Sequence, residues 1–140
     1  MGGEAVKRRK QVSLSSLKKK AWRLLSQIIR RSSATSLGYV RCYTCGAVDH
    51  WKSMDAGHAI PGRTGAVLFD EDIIKIQCKV CNIWKRGNYP VFTLKLINEH
   101  SADWFEKKLN DSHNIVKLTT ADMKEKIKGY EQRLKRLEEP

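Results

Sequence analysis

A chain of 140 residues with 41% hydrophobic residues can build one modest domain with appended helices, and is too short for two full cores. No apolar run approaches the ~18 residues that span a bilayer, and the apolar content is too high for a disordered chain, so a soluble intracellular protein without a membrane partner is expected. The net charge of +12 is uneven: residues 1–41 carry eleven Lys or Arg against one acid, residues 42–92 six against five, and residues 93–140 ten against nine. That excess predicts a localised positive surface able to displace counterions from phosphates, which favours a nucleic acid over the rival, an anionic membrane surface.

Residues 1–12 join Gly2 and Gly3 to Lys7, Arg8, Arg9 and Lys10 with no apolar period, and predict a flexible basic arm that orders on its partner. In residues 13–36, Leu17, Ala21, Leu24, Leu25 and Ile28 recur at helical spacing behind Ser13 or Ser16 as N-cap. They predict an amphipathic helix to about Arg31, with Lys18, Lys19 and Lys20 added to the phosphate-binding set. Ser32 to Ser36 break the pattern and Gly38 turns the chain.

Residues 37–92 hold all four cysteines as two pairs, Cys42-Tyr-Thr-Cys45 and Cys78-Lys-Val-Cys81. Two-residue spacing lets a short turn aim both sulfurs one way, so two pairs supply the thiolates of a tetrahedral structural zinc site. Gly46 suits the knuckle, because a sharp turn there needs positive φ. Two disulfides are the alternative, disfavoured because Met1 is followed by Gly-Gly-Glu and a basic run, not an apolar signal segment. Between the pairs, Ala47 to Ile60 predicts a hairpin carrying Asp55-Ala-Gly-His58, Pro61 to Gly65 a loop, Val67 to Phe69 a brief strand and Asp70 to Asp72 a turn. Cys78 to Arg86 predicts a short helix stopped by Gly87.

In residues 93–140, a helix that begins near Phe92 is expected to run through Trp104, Phe105 and Leu109, followed by a loop at Asn110 to Asn114. Thr119 or Thr120 then caps a last helix with the apolar stripe Met123, Ile127, Tyr130, Leu134 and Leu137. The stripe packs on a neighbouring helix or forms a homodimer seam. The expected class is therefore α+β, a small treble-clef zinc centre flanked by N- and C-terminal α-helices.

A four-thiolate site leaves no open coordination position, so chemistry must come from other residues. His58 is the conspicuous base, with a purely structural imidazole as the plain alternative, and the adjacent pair Asp49-His50 is a second candidate. Asp55, Asn82 and Asn88 are candidates to hold one hard cation, Mg²⁺ or Mn²⁺, by oxygen ligands beside His58. A base together with such a cation is what phosphodiester hydrolysis requires, and the set has the form of an HNH, or ββα-metal, nuclease site. Arg63, Lys85 and Arg86 are candidate phosphate clamps. Trp51 and Trp84 are expected to pack over the zinc core, or else to stack on an unpaired base.

The runs Gly38-Tyr-Val-Arg-Cys42-Tyr-Thr-Cys45-Gly, Asp55-Ala-Gly-His58, Leu68-Phe-Asp-Glu, Gln77-Cys-Lys-Val-Cys81-Asn82 and Gly87-Asn88, with Trp22 to Ser26, resemble the phage recombination endonuclease family NinG, also called Rap. The resemblance covers most of residues 17–138. It implies structure-specific cleavage of branched DNA, such as Holliday junctions and D-loops, in the bacterial host cytoplasm. Members of that family often carry Asn and His before the second Cys pair, where this chain has Ile73 and Lys75. The acid of many HNH motifs directly precedes the His, whereas Asp55 stands three residues before His58 and needs a bend at Ala56-Gly57 to converge with it. A non-catalytic zinc-dependent DNA-binding adaptor, an HNH enzyme that nicks linear duplex and a protein-interaction module are the alternative readings.

Overall fold

The computed structural model describes residues 12–62 and 64–139. Helix α1 (Leu14–Arg31) begins where the Ser13 hydroxyl accepts the Ser16 amide at 3.1 Å. Its Leu17, Ala21, Leu25 and Ile28 are buried, as the periodicity predicts. At the other end of the chain Thr119 and Asp122 form a reciprocal capping box that starts α5 (Thr120–Glu138).

The apolar stripe of α5 lies in the same core cluster as the stripe of α1: Met123, Ile127, Tyr130 and Leu134 are buried with Leu17, Ala21, Leu25 and Ile28. Of the two expectations for this stripe, packing on a neighbouring helix is therefore the one seen: four of its five residues lie inside the chain's own core and Leu137 at the end is exposed. Lys20 with Glu131 at 3.4 Å and Arg31 with Glu138 at 3.2 Å flank the contact.

Two two-stranded antiparallel sheets follow α1 and precede α5 in the chain. In the first, β1 (Tyr39–Arg41) pairs with β2 (Val48–His50) around the first Cys pair. In the second, β3 (Asp55–His58) pairs with β4 (Ile74–Gln77), with Asp55 opposite Gln77 and His58 opposite Ile74. The predicted hairpin over Ala47 to Ile60 is thus wrong in its partners: β2 and β3 each pair elsewhere, separated by a 3-10 turn at Trp51–Ser53.

The predicted strand at Val67 to Phe69 is instead a single helical turn, α2 (Gly65–Leu68), which buries Val67 against Phe92 and Leu96. An apolar run this short carries no period that separates strand from helix. The predicted long helix is two, α3 (Tyr89–Glu99) and α4 (Ala102–Asp111), broken where the Ser101 hydroxyl takes the Trp104 amide at 3.0 Å. Phe92, Leu96 and Phe105 close that part of the core.

The acidic turn between α2 and β4 clamps both flanks. Asp70 and Asp72 each accept from Lys108 of α4, at 2.9 and 2.8 Å, and Glu71 takes a bidentate pair from Arg133 of α5, at 2.7 and 2.9 Å. No helix among the described residues is long and apolar enough to cross a membrane.

Candidate metal centre and His58 cleft

The four cysteine sulfurs all lie within 4.8 Å of one another, and none is in a disulfide. Tetrahedral thiolates ~2.3 Å from one zinc stand about 3.8 Å apart. The Cys45 and Cys78 sulfurs are 3.6 Å apart, so the cluster fits such an ion. Gly46 turns the first knuckle at φ 80°, as expected. The second pair leads into a π-helical turn, Val80–Trp84, in which the Cys81 amide donates to the Cys78 sulfur at 3.4 Å.

Burial opposes ionisation of Cys42, yet hydrogen bonds from the Thr44 hydroxyl and nearby amides outweigh it and bring the thiol down to about 6. Burial and the neighbouring thiols push Cys78 up to about 12. Four sulfurs this close cannot all ionise without a cation among them, which is the behaviour of a metal-binding set.

Asn88 belongs to this centre and not to His58, which corrects its expected place beside a catalytic cation. It adopts the left-handed conformation at φ 48° and its Nδ2 donates to the Cys81 sulfur at 3.6 Å. Gln77 is a structural residue that the sequence reading missed. Fully buried, it donates from Nε2 to the Thr44 hydroxyl at 3.2 Å and to the Gly87 carbonyl at 2.9 Å, tying the first knuckle to the chain beyond the second.

A cleft of about 1030 Å³ opens on the other side of β3, lined by His58, Asn82, Trp22, Lys18, Lys19 and Arg86 among others. His58 is held on two sides. Its ring stacks on Trp22 of α1, with centroids 4.7 Å apart and planes at 27°. Its Nε2 lies 3.0 Å from the carbonyl oxygen of Leu68, one of the carbonyls that a helix end leaves without an intrahelical partner. A carbonyl only accepts, so Nε2 carries the proton, and in the neutral ring the lone pair sits on Nδ1. Burial holds the His58 pKa below the usual imidazole value, against the opposing pull of the Leu68 bond. The ring is therefore neutral at neutral pH, as a base must be.

Asp55 stands one step back from the cleft. Its Oδ2 accepts from Asn82 Nδ2 at 3.1 Å and its Oδ1 from Lys79 at 2.9 Å. Asn82, in the ligand turn, lines the cleft itself, so the acid reaches the His58 side only through Asn82. Gly57 makes this close packing feasible: a Cβ there would stand 1.9 Å from Gln77 Oε1 and 3.1 Å from Asn82 Oδ1.

The remaining candidates divide. Lys18 and Lys19 line the cleft, whereas Lys20 pairs with Glu131 on the α5 side. Arg86 lines it too, and Lys85 caps the ligand turn, exposed, outside the lining. Lys7, Arg8, Arg9, Lys10 and Arg63 lie outside the described residues. His50 is on β2 against Tyr39, its Nδ1 accepting the Lys52 amide at 3.2 Å, and it takes no part in the cleft. Ile73 is a core residue, and Lys75 lies over the Tyr43 ring. Trp51 packs on the cysteine cluster under Arg30 and Arg31, as expected, but Trp84 does not: it is 81% exposed. Trp22 went unassigned in the sequence because nothing local links it to His58.

Residues 3–139 match the family described as Bacteriophage Lambda NinG protein. Two curated proteins, each called Protein ninG, from Escherichia phage 933W and Enterobacteria phage VT2-Sa, are each 32% identical over 97 residues. That alignment takes in 69% of this chain and 47% of theirs, so the chain spans about half the length of the curated relatives it matches. No solved structure matches.

Proposed function

The chain belongs to the NinG family of bacteriophage proteins, and on that premise we propose that it is a metal-dependent endonuclease of the HNH type, acting on branched DNA in the host cytoplasm. The observation that carries the proposal is the fixed His58: Nε2 committed to the Leu68 carbonyl, which puts the lone pair on Nδ1, and Trp22 on its face, in a cleft also lined by Lys18, Lys19 and Arg86. The order β3, β4 and then a ligand-bearing helical turn supports a ββα-metal centre stapled by zinc on Cys42, Cys45, Cys78 and Cys81.

In this reading Lys18, Lys19 and Arg86 seat the phosphates and so set the scissile bond against His58. Nδ1 of His58 takes a proton from the attacking water, and the Leu68 carbonyl stabilises the imidazolium that results by accepting from Nε2. Asn82 would hold a hard divalent cation through its amide oxygen, and Asp55, whose two oxygens accept from Asn82 and Lys79, fixes that amide in place. Such a cation, Mg²⁺ or Mn²⁺, when bound, neutralises charge on the phosphate and the departing oxygen. Asn88, committed to Cys81, has no part in that step.

The preference for Holliday-junction or D-loop substrates comes from the family resemblance. Incubation of the purified chain with a four-way junction and a matched linear duplex, with Mg²⁺ or Mn²⁺, tests the reading. Cation-dependent cutting of the junction is expected. Binding without cutting of either substrate would leave the adaptor reading instead.

A further inference from the structure

The ligand turn Val80–Trp84 has two faces. One buries Cys81 in the metal centre at 0% exposure. The other turns three apolar side chains to solvent: Trp84 at 81%, Ile83 at 57% and Val80 at 53% exposed. Val80 and Trp84, four residues apart, are nearly one turn of this π-helix apart and share a side. A tryptophan is rarely left this bare, because its ring gains more from burial than almost any other side chain. Packing within the chain gives Trp84 no role, since it joins none of the core clusters or aromatic pairs of the described residues.

The neighbours of this ridge indicate what covers it. Ile83 and Arg86 line the His58 cleft, so the ridge forms part of the cleft's rim. Lys79, Lys85 and Arg86 bracket it in sequence, and Lys18 and Lys19 face the cleft from α1. An apolar partner protein would have to bring acids to meet these cations. An unpaired nucleotide brings both halves, a flat base for the indole and a phosphate for the cations.

We propose that Trp84 is a stacking platform for an unpaired base of DNA at the rim of the His58 cleft. The proposal rests on the nuclease reading for its polymer and extends it: duplex keeps its bases inside the stack, so only DNA with an unstacked base at a branch, fork or flap satisfies the platform. Trp84 is then a specificity-determining residue for branched over linear substrate. It lies outside the group that reacts, so its removal changes which DNA is held and leaves the proton transfer at His58 alone.

The test uses the full chain without added Mg²⁺ or Mn²⁺, at about 0.15 M salt to suppress purely electrostatic binding. The probe is a forked DNA with 5-iododeoxyuridine as its first unpaired nucleotide, with a fully paired duplex as control. Irradiation should crosslink the fork to Trp84, located by peptide mass spectrometry. Trp84→Ala should weaken fork affinity, read by fluorescence anisotropy, by about 5- to 150-fold, the range for loss of one stacked base. Duplex affinity should hardly move, and Trp84→Phe should recover most of the loss. The exposed position makes misfolding of either variant unexpected, and matching circular dichroism checks it.

Equal fork affinity in wild type and Trp84→Ala, or a crosslink only elsewhere, would overturn the proposal. So would Trp84-dependent binding to anionic vesicles with no difference on the fork. A fork bound through Trp84 but never cut when Mg²⁺ or Mn²⁺ is added leaves the platform standing and ends the nuclease reading. A fork cut equally by wild type and Trp84→Ala, with equal affinity, ends the platform alone.

Discussion

Gly57→Ala is the substitution whose consequence follows most directly from distances. The new methyl would stand 1.9 Å from Gln77 Oε1 and 2.7 Å from its Cδ, far inside van der Waals contact. Gln77 cannot swing aside cheaply, because it is fully buried and its Nε2 is engaged by Thr44 and Gly87. Moving it breaks those bonds, at about 1–3 kcal/mol for buried groups left unpaired, and overpacking adds about 1–3 kcal/mol. The expected loss of stability is therefore roughly 2–6 kcal/mol, a large part of what holds a small domain folded. Urea unfolding followed by tryptophan fluorescence reads it as a fall in midpoint with an unchanged slope. Where the variant does fold, Asn82, whose Oδ1 would be 3.1 Å from the methyl, should be displaced and the dependence on divalent ion weakened. A change below about 0.5 kcal/mol, with normal activity, would refute the claim that Gly57 lets β3 and the ligand turn approach this closely.

Two other outcomes follow from the same geometry. The chain should purify with one zinc, and Cys78→Ser or strong chelation should unfold the centre, since structural zinc contributes ~10 kcal/mol or more coupled to folding; elemental analysis without zinc, or unchanged circular dichroism after chelation, would count against it. Burial lowers the His58 pKa, so the neutral ring persists as pH falls past the ordinary ~6.5 and the acid limb of kcat/KM should lie below that value. The sign for stability is the same: the unfolded chain takes up the proton first, so the contribution of neutral His58 is present above about pH 6.5 and is lost as pH falls through the lowered value. An acid limb above pH 7 would contradict both statements.

Much of this organisation was legible in the sequence where the signal is local. Two Cys-x-x-Cys pairs predict a four-sulfur cluster, a regular stripe predicts α1, and Thr119 or Thr120 marks the start of α5. The expectations that failed depend on partners distant in the chain. Strands of three or four residues carry no register signal, so nothing near Asp55 tells β3 to pair with β4 and not with β2. Likewise nothing near His58 announces Trp22, which reaches it only because α1 packs across β3. The α5 stripe reads equally well as a dimer seam until α1 is seen to cover it. Asn88 looked like a cation ligand by its place after the second Cys pair, and a left-handed backbone turned it to Cys81 instead. Exposure, the property that sets Trp84 apart, has no sequence signature at all.

The central claim is that His58, held through Nε2, is the proton acceptor of a phosphodiester cleavage. Single-turnover cleavage of a four-way junction in Mg²⁺ or Mn²⁺, by wild type and His58→Ala at matched DNA saturation, tests it most directly. The rate should fall by ~10²–10⁴-fold in the variant, with zinc content, fold and DNA affinity nearly unchanged. Cleavage at the wild-type rate by His58→Ala would contradict it.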